Sequence, residues 1–156
     1  MNKMDKHPER TQLRKWPDLF CSALFSLVFV CGCATPQISP YDAVSYKEAT
    51  ACKVDALALI QKAADLPAPH QSEIDAMKSR LQKDIEYENG KGASNQKTID
   101  QWKLLADPNG HLVGGFLVRW ITDNKSESPA FIAATTTNVS RTFDAIIQLE
   151  NQKIKQ

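Results

Sequence analysis

A chain of 156 residues is long enough for one ordinary domain, and an apolar content of 42% can fill a core and argues against global disorder. A net charge of +1 and a pI near 7.7 leave no field for gripping a phosphate backbone, which excludes a strongly basic nucleic-acid binder. What charge asymmetry exists lies at the front, where Lys3, Lys6, Arg10, Arg14 and Lys15 precede an apolar run.

That run, residues 19–32, is uncharged and ends at Cys33. As a helix it would span about 21 Å, short of the roughly 30 Å hydrocarbon core of a bilayer. Basic leader, short apolar region and small residues at its end fit a secretory signal peptide better than a permanent span. The alternative is an uncleaved anchor reaching to Tyr41, against which stand Pro36, Pro40 and the polar residues between them.

The end of the run, Val30-Cys31-Gly32-Cys33, resembles the lipobox of bacterial lipoproteins: a branched apolar residue, a small one, Gly or Ala, then Cys. The resemblance covers only the first 35 residues or so. It implies cleavage between Gly32 and Cys33 and diacylglyceryl and acyl (palmitate-type) chains on Cys33. Several chains on one residue would make a durable anchor, where a single chain holds only marginally. In lipoproteins of two-membrane bacteria Asp after the Cys favours the inner membrane. Ala34 stands there instead, which implies an outer-membrane address facing the periplasm. The organisation expected is a signal peptide over 1–32, a lipidated tether over 33–39 and a helical domain over 40–156.

With Cys21 and Cys31 removed and Cys33 acylated, Cys52 is the one thiol left. Its neighbours Ala49, Ala51 and Val54 predict burial. No disulfide partner remains for it.

Within the domain the signals are helical. Ser39 followed by Pro40 reads as an N-cap with proline at the first helical position, opening a helix over 40–65. Tyr46, Ala49, Lys53, Leu57, Ile60 and Ala64 would share one face, with Val54 broadening it. Leu66-Pro67-Ala68-Pro69 breaks it. A second helix over 70–89 carries Ile74, Met77, Leu81 and Ile85 as an apolar stripe, with Glu73, Lys78, Arg80, Lys83 and Glu86 opposite. Asp84 and Glu88 read as a solvated acidic face. Gly90, in a Gly-Lys-Gly turn with the composition of a mobile loop, is the expected left-handed cap.

Thr98 with Gln101 fits a capping box for a short third helix containing Ile99, Trp102 and Leu105. Asp107-Pro108 is expected to stop it and cap the next. Residues 111–122, HLVGGFLVRWIT, predict a buried helix from the four-residue spacing of Leu112, Phe116 and Trp120. Gly114-Gly115 costs a helix about 1 kcal/mol per residue relative to Ala. Close approach of a neighbouring backbone would offset it. Ser128-Pro129 repeats the cap signature and opens a last helix over 129–153. The fold class expected is therefore all-α, a small bundle of four main helices plus one short one.

Chemistry-bearing motifs are scarce. There is no G-x-S-x-G and no H-E-x-x-H, and His70 and His111 have no second soft ligand near them. Neither catalytic residues, cofactor nor metal are expected. Trp102, Phe116, Trp120 and Phe131 fall where a core wants them, and Arg119 with Trp120 is the best candidate for an exposed recognition surface. The functional expectation is a cell-envelope lipoprotein held by its N-terminal lipid, with a helical interaction or assembly-accessory domain. Its partner would be another envelope protein or itself, not nucleic acid. The competing class is an envelope small-ligand binder or a hydrolase acting on wall or lipid.

Overall fold

In a computed structural model of the chain, the structure describes residues 38–155. Five α-helices appear among them: α1 (Ala43–Gln61), α2 (Gln71–Asn89), α3 (Gln96–Ala106), α4 (Val113–Asp123) and α5 (Pro129–Lys153). Three single 3-10 turns, at Lys62–Ala64, Ala68–His70 and Ala93–Asn95, join or extend them. The all-α bundle expected from the sequence is the fold found.

Cross-links fix the topology. Lys53 Nζ lies 2.6 Å from Asp144 Oδ1 and Gln61 Nε2 lies 2.9 Å from Thr136 Oγ1, so α1 and α5 run antiparallel. Ser45 reaches Glu88 while Arg80 reaches Glu48, at 3.1 Å, and Asp55, so α2 runs antiparallel to α1. Thr98 meets Glu150 at one end of α3 and the Trp102 ring meets Phe143 further along it, edge-on at 5.8 Å. The bundle is thus α1, α2, α3 and α5 in up-down order. Helix α4 lies at the far end, where Trp120 Nε1 donates to Asp65 O at 3.2 Å and its ring stacks on His70. The short third helix is therefore a full bundle member, and the apolar 111–122 segment is the extra one.

Cap chemistry decides the boundaries. Helix α1 opens at Asp42, whose Oδ1 accepts the Val44 N–H at 2.8 Å, and not at Ser39. Pro40 precedes the cap. Helix α5 opens where expected, with Ser128 Oγ accepting the Phe131 N–H at 3.2 Å and Pro129 at the first position. Asp107 ends α3 and accepts the Asn109 N–H at 2.9 Å, but the residue before α4 is Leu112, so Asp107 does not cap it. Gly90 keeps a right-handed conformation, and the positive φ of +80° falls at Gly92. Gly92 supplies the reversal into α3, which β-carbon-bearing residues resist.

The core runs the length of the bundle through Ala49, Cys52, Leu81, Trp102, Phe143 and Ile146. In α1 the buried face is Ser45, Ala49, Cys52, Ala56 and Leu59 with Ile60, one step round from the expected stripe, and Val54 is 62% exposed. The small residues set this choice, because they let α1 lie close to two neighbours at once. The glycines of α4 meet the requirement foreseen for them. A β-carbon on Gly114 would collide with Ala106 O, and one on Gly115 with Gly110 O. The backbone leaving α3 is folded back against the start of α4. No described helix is long and apolar enough to cross a membrane.

Candidate functional site

The densest polar arrangement lies at the bundle end formed by the start of α1, the end of α2, the start of α3 and the end of α5. In α5 the apolar stripe Ile132, Thr135, Val139, Phe143, Ile146 continues in register to Glu150 and Lys153, so helical periodicity carries both into the interior. Lys153 Nζ donates to Asn95 Oδ1 at 2.9 Å, to Thr98 Oγ1 at 3.3 Å and to Glu150 Oε1. An ammonium has three donors, so all are used. Thr98 adds a 3.2 Å bond to Glu150 Oε1.

Asn95 is the hub. Its Oδ1 also accepts from Ser39 Oγ at 2.8 Å, while its Nδ2 donates to Glu88 Oε2 at 2.5 Å and to Glu88 O at 3.1 Å. Glu88, 1% exposed, takes Ser45 Oγ on its other oxygen and sits 3.1 Å from Lys91 Nζ. Lys91 then bridges to Asp42 Oδ2 at 2.9 Å, which also accepts the Tyr87 hydroxyl at 2.7 Å. Desolvation works against the Lys91 cation, but its bonds to Asp42 and Glu88 outweigh this and raise its pKa. For Asp42 desolvation likewise opposes charge. The donors Lys91, Tyr87 and the Val44 N–H prevail and hold the carboxyl well below the usual carboxylate range.

This network corrects three expectations. Glu88 is not on a solvated acidic face, because Ser45, Asn95 and Lys91 give it partners in the interior. Ser39 is no helix cap but a buried strut, its N–H donating to Ser94 O at 3.1 Å as well. Thr98 lies inside α3, buried against Glu150, rather than capping the helix. Beside the network a shallow pocket of about 190 Å³ opens between Ile38, Ala93, Asn95, Lys97, Leu149 and Lys153.

A second cluster lies midway along α1 and α2. Asp84 is 8% exposed and its Oδ2 has no hydrogen-bond partner among the described residues. Burial, opposed by Arg80, pushes its pKa up to about 6. It too was expected on a solvated face. The α2 stripe instead broadens to take in Asp84 beside Ile85. Cys52 is fully buried, as expected, and burial with Asp84 nearby pushes its thiol up to about 12, which keeps the reactive thiolate scarce.

Trp120 is fully buried, and with Phe116 and Phe131 it forms the aromatic packing of α4 on α5. Its indole therefore offers no exposed surface. Arg119 is exposed, but its guanidinium lies 4.1 Å over the Phe131 ring, with its Nε 3.2 Å from Glu127 Oε1. His70 sits between Asp65 and Glu73 at 3.4 and 3.5 Å, and His111 is exposed ahead of α4. Among the described residues no three His, Cys, Asp or Glu side chains converge as a metal site. The lipobox residues Val30, Cys31, Gly32 and Cys33 lie outside the described residues.

Comparison with family models, with curated proteins and with solved structures gives no match.

The network can do one thing well. It ties the first described residues to α2, α3 and α5 through buried polar groups bonded to one another, with Glu150 Oε2 left without a hydrogen-bond partner among the described residues, so the start of the domain is fixed to its body. What sequence reasoning missed was this clamp. Its trace was the placing of Glu88, Glu150 and Lys153 in register with apolar stripes.

Proposed function

We propose that this chain is a lipid-anchored cell-envelope lipoprotein whose helical bundle is an interaction or assembly-accessory domain rather than an enzyme. The observation that carries the reading is the Val30-Cys31-Gly32-Cys33 lipobox behind a basic leader and a short apolar region. The clamp supports it: the fold takes hold at Ser39, six residues after the Cys that would bear the lipid, so little chain separates anchor from domain. The Ser39–Asn95–Lys153 chain of bonds joins the start of the domain firmly to its core. Most polar groups of the clamp, Glu150 Oε2 excepted, are occupied by one another, as suits a structural joint. The partner in this reading is another envelope protein or a second copy, and Ala34 directs the protein to the outer membrane where one exists.

The test is palmitate labelling of the full chain and of Cys33→Ser in a bacterial host. The wild-type chain is expected to label and to shorten by the signal peptide. The variant should remain an unlabelled precursor. Equal labelling of the two would refute lipid attachment at Cys33. Crosslinking in the native envelope then reads the interaction role: a reproducible protein adduct supports it, and adducts with glycan or lipid alone oppose it.

A further inference from the structure

Large apolar side chains are unevenly exposed on the bundle. Ile38 and Tyr41 (each 38% exposed), Val44 (48%), Tyr87 (44%) and Ile154 (60%) all belong to the end that holds the clamp. The antiparallel pairing of α1 with α5 brings Ile154 level with the start of α1, and the Ser45–Glu88 bond brings the end of α2, with Tyr87, to the same level. Elsewhere the exposed apolar side chains are scattered: Val54 (62%) midway along α1, Leu104 (50%) on α3, and Leu66 and Val118 towards the other end.

We propose that this bundle end rests on the lipid surface itself, with Ile38, Tyr41, Val44, Tyr87 and Ile154 as the contact residues. The inference rests on the reading of Cys33 as the lipidated residue. Five Cα steps separate Cys33 from Ile38, which fixes a maximum reach of about 18 Å. The clamp at Ser39 stops that reach from growing by unravelling of the domain. Helix α1 is about 28 Å long at its 19 residues. The clamp end is thus confined near the headgroups, and a bundle standing on that end puts its far end a helix length away.

The chemistry of the end suits that neighbour. Tyr has an apolar body and a polar tip, and the headgroup region satisfies both. Lys97 and Lys155, both exposed at this end, can lay their stems along apolar surface and keep the ammonium in water. Three buried or half-buried carboxylates here, Asp42, Glu88 and Glu150, share two cations, Lys91 and Lys153, and with exposed Glu86 beside Tyr87 they leave a negative charge that Lys97 and Lys155 balance. Contact is therefore driven by apolar burial at high local concentration, and does not require anionic lipid.

The test uses the full chain, processed in a bacterial host and reconstituted in phosphatidylcholine vesicles carrying a doxyl-labelled lipid. Ile154→Cys and Val44→Cys report on the clamp end, Leu66→Cys and Val118→Cys on the other, each bearing an environment-sensitive fluorophore. Cys52 is buried and does not compete. At least twofold stronger quenching at 154 and 44 than at 66 and 118 is expected. Equal quenching at both ends, or none, overturns the docking. Palmitate labelling of the same samples separates the two readings. Labelled but unquenched protein keeps the anchor and loses the docking. Unlabelled protein loses the anchor and, with it, the docking that rests on it.

Discussion

Ser39 Oγ donates to Asn95 Oδ1 at 2.8 Å across 56 positions of sequence, and the same oxygen accepts from Lys153. One amide thereby joins the first described residues to the last turn of the last helix. Removing a partner from such a network leaves other buried groups unpaired, and costs more than the bond itself contributes. Asn95→Ala strands Lys153 and Glu88 together and is expected to lose about 2–4 kcal/mol of stability. Ser39→Ala removes one neutral hydroxyl and should lose about 1 kcal/mol. Urea unfolding of the two single variants and the double variant measures their coupling. Additive losses would mean that the two residues do not share a network.

Asp42 does two jobs that a single substitution separates. Asn in its place can still accept the Val44 N–H and cap α1, but carries no charge for Lys91. The carboxyl pKa is lowered in the folded state, so its charge contributes stability that is present above about pH 4, the unfolded value, and is lost as pH falls below it. Asp42→Asn should therefore be less stable than the wild type at pH 7, and the gap should begin to narrow as pH falls below about 4 and keep narrowing with further acid. A gap that does not narrow below about pH 4 would assign the effect to the cap.

Gly114 and Gly115 test a close approach of backbone to backbone. Ala at either site gains about 1 kcal/mol in helix propensity. Against this, the added β-carbon meets the carbonyl oxygen of Ala106 or Gly110, both parts of the main chain that cannot rotate away. Overpacking of this kind typically costs 1–3 kcal/mol or more, so each variant is expected to be destabilised by about 2 kcal/mol net. Thermal unfolding decides: a rise in Tm for Gly114→Ala would show that the turn between α3 and α4 is not packed as described.

The fold class and α5, with its Ser128-Pro129 start and Lys153 end, were legible because local signals and tertiary packing agree there. So was the need for Gly114-Gly115. The start of α1 was not. Ser39-Pro40 carries a cap signature, yet Asp42 offers an acid three residues further on, and Ser39 is drawn into the interior by Asn95. Which face of α1 is buried turned on Ala49, Cys52 and Ala56, small residues whose weight in a hydropathy pattern is low but whose size permits close helices. The clamp was the least legible part. A Glu or Lys in register with an apolar stripe is ordinarily solvated, and only the arrival of Ser39, Asn95 and Thr98 from distant segments makes burial of Glu88, Glu150 and Lys153 tolerable. Arg119-Trp120 misled for the opposite reason: adjacent residues on a helix face different ways, so one is exposed and the other is core.

Asp84 gives the domain a cost that rises with pH. Its carboxyl is buried among Cys52, Arg80 and Glu48, and burial raises its pKa to about 6 in the folded chain. A folded pKa above the unfolded value of about 4 means that the neutral form is the one the fold prefers. Relative stability from this group is fully present below about pH 4 and is lost as pH rises through about 6. The difference corresponds to about 3 kcal/mol at neutral pH, at 1.36 kcal/mol per pH unit. Asp84→Asn keeps the shape and cannot ionise. It should match the wild type at pH 4 to within about 1 kcal/mol and exceed it by about 2–3 kcal/mol at pH 8. Urea denaturation of both chains at the two pH values provides the comparison. Equal stability at pH 8 would show that Arg80 compensates the ionised carboxylate in place. A less stable Asn variant at pH 8 would show that the Asp84 charge is needed.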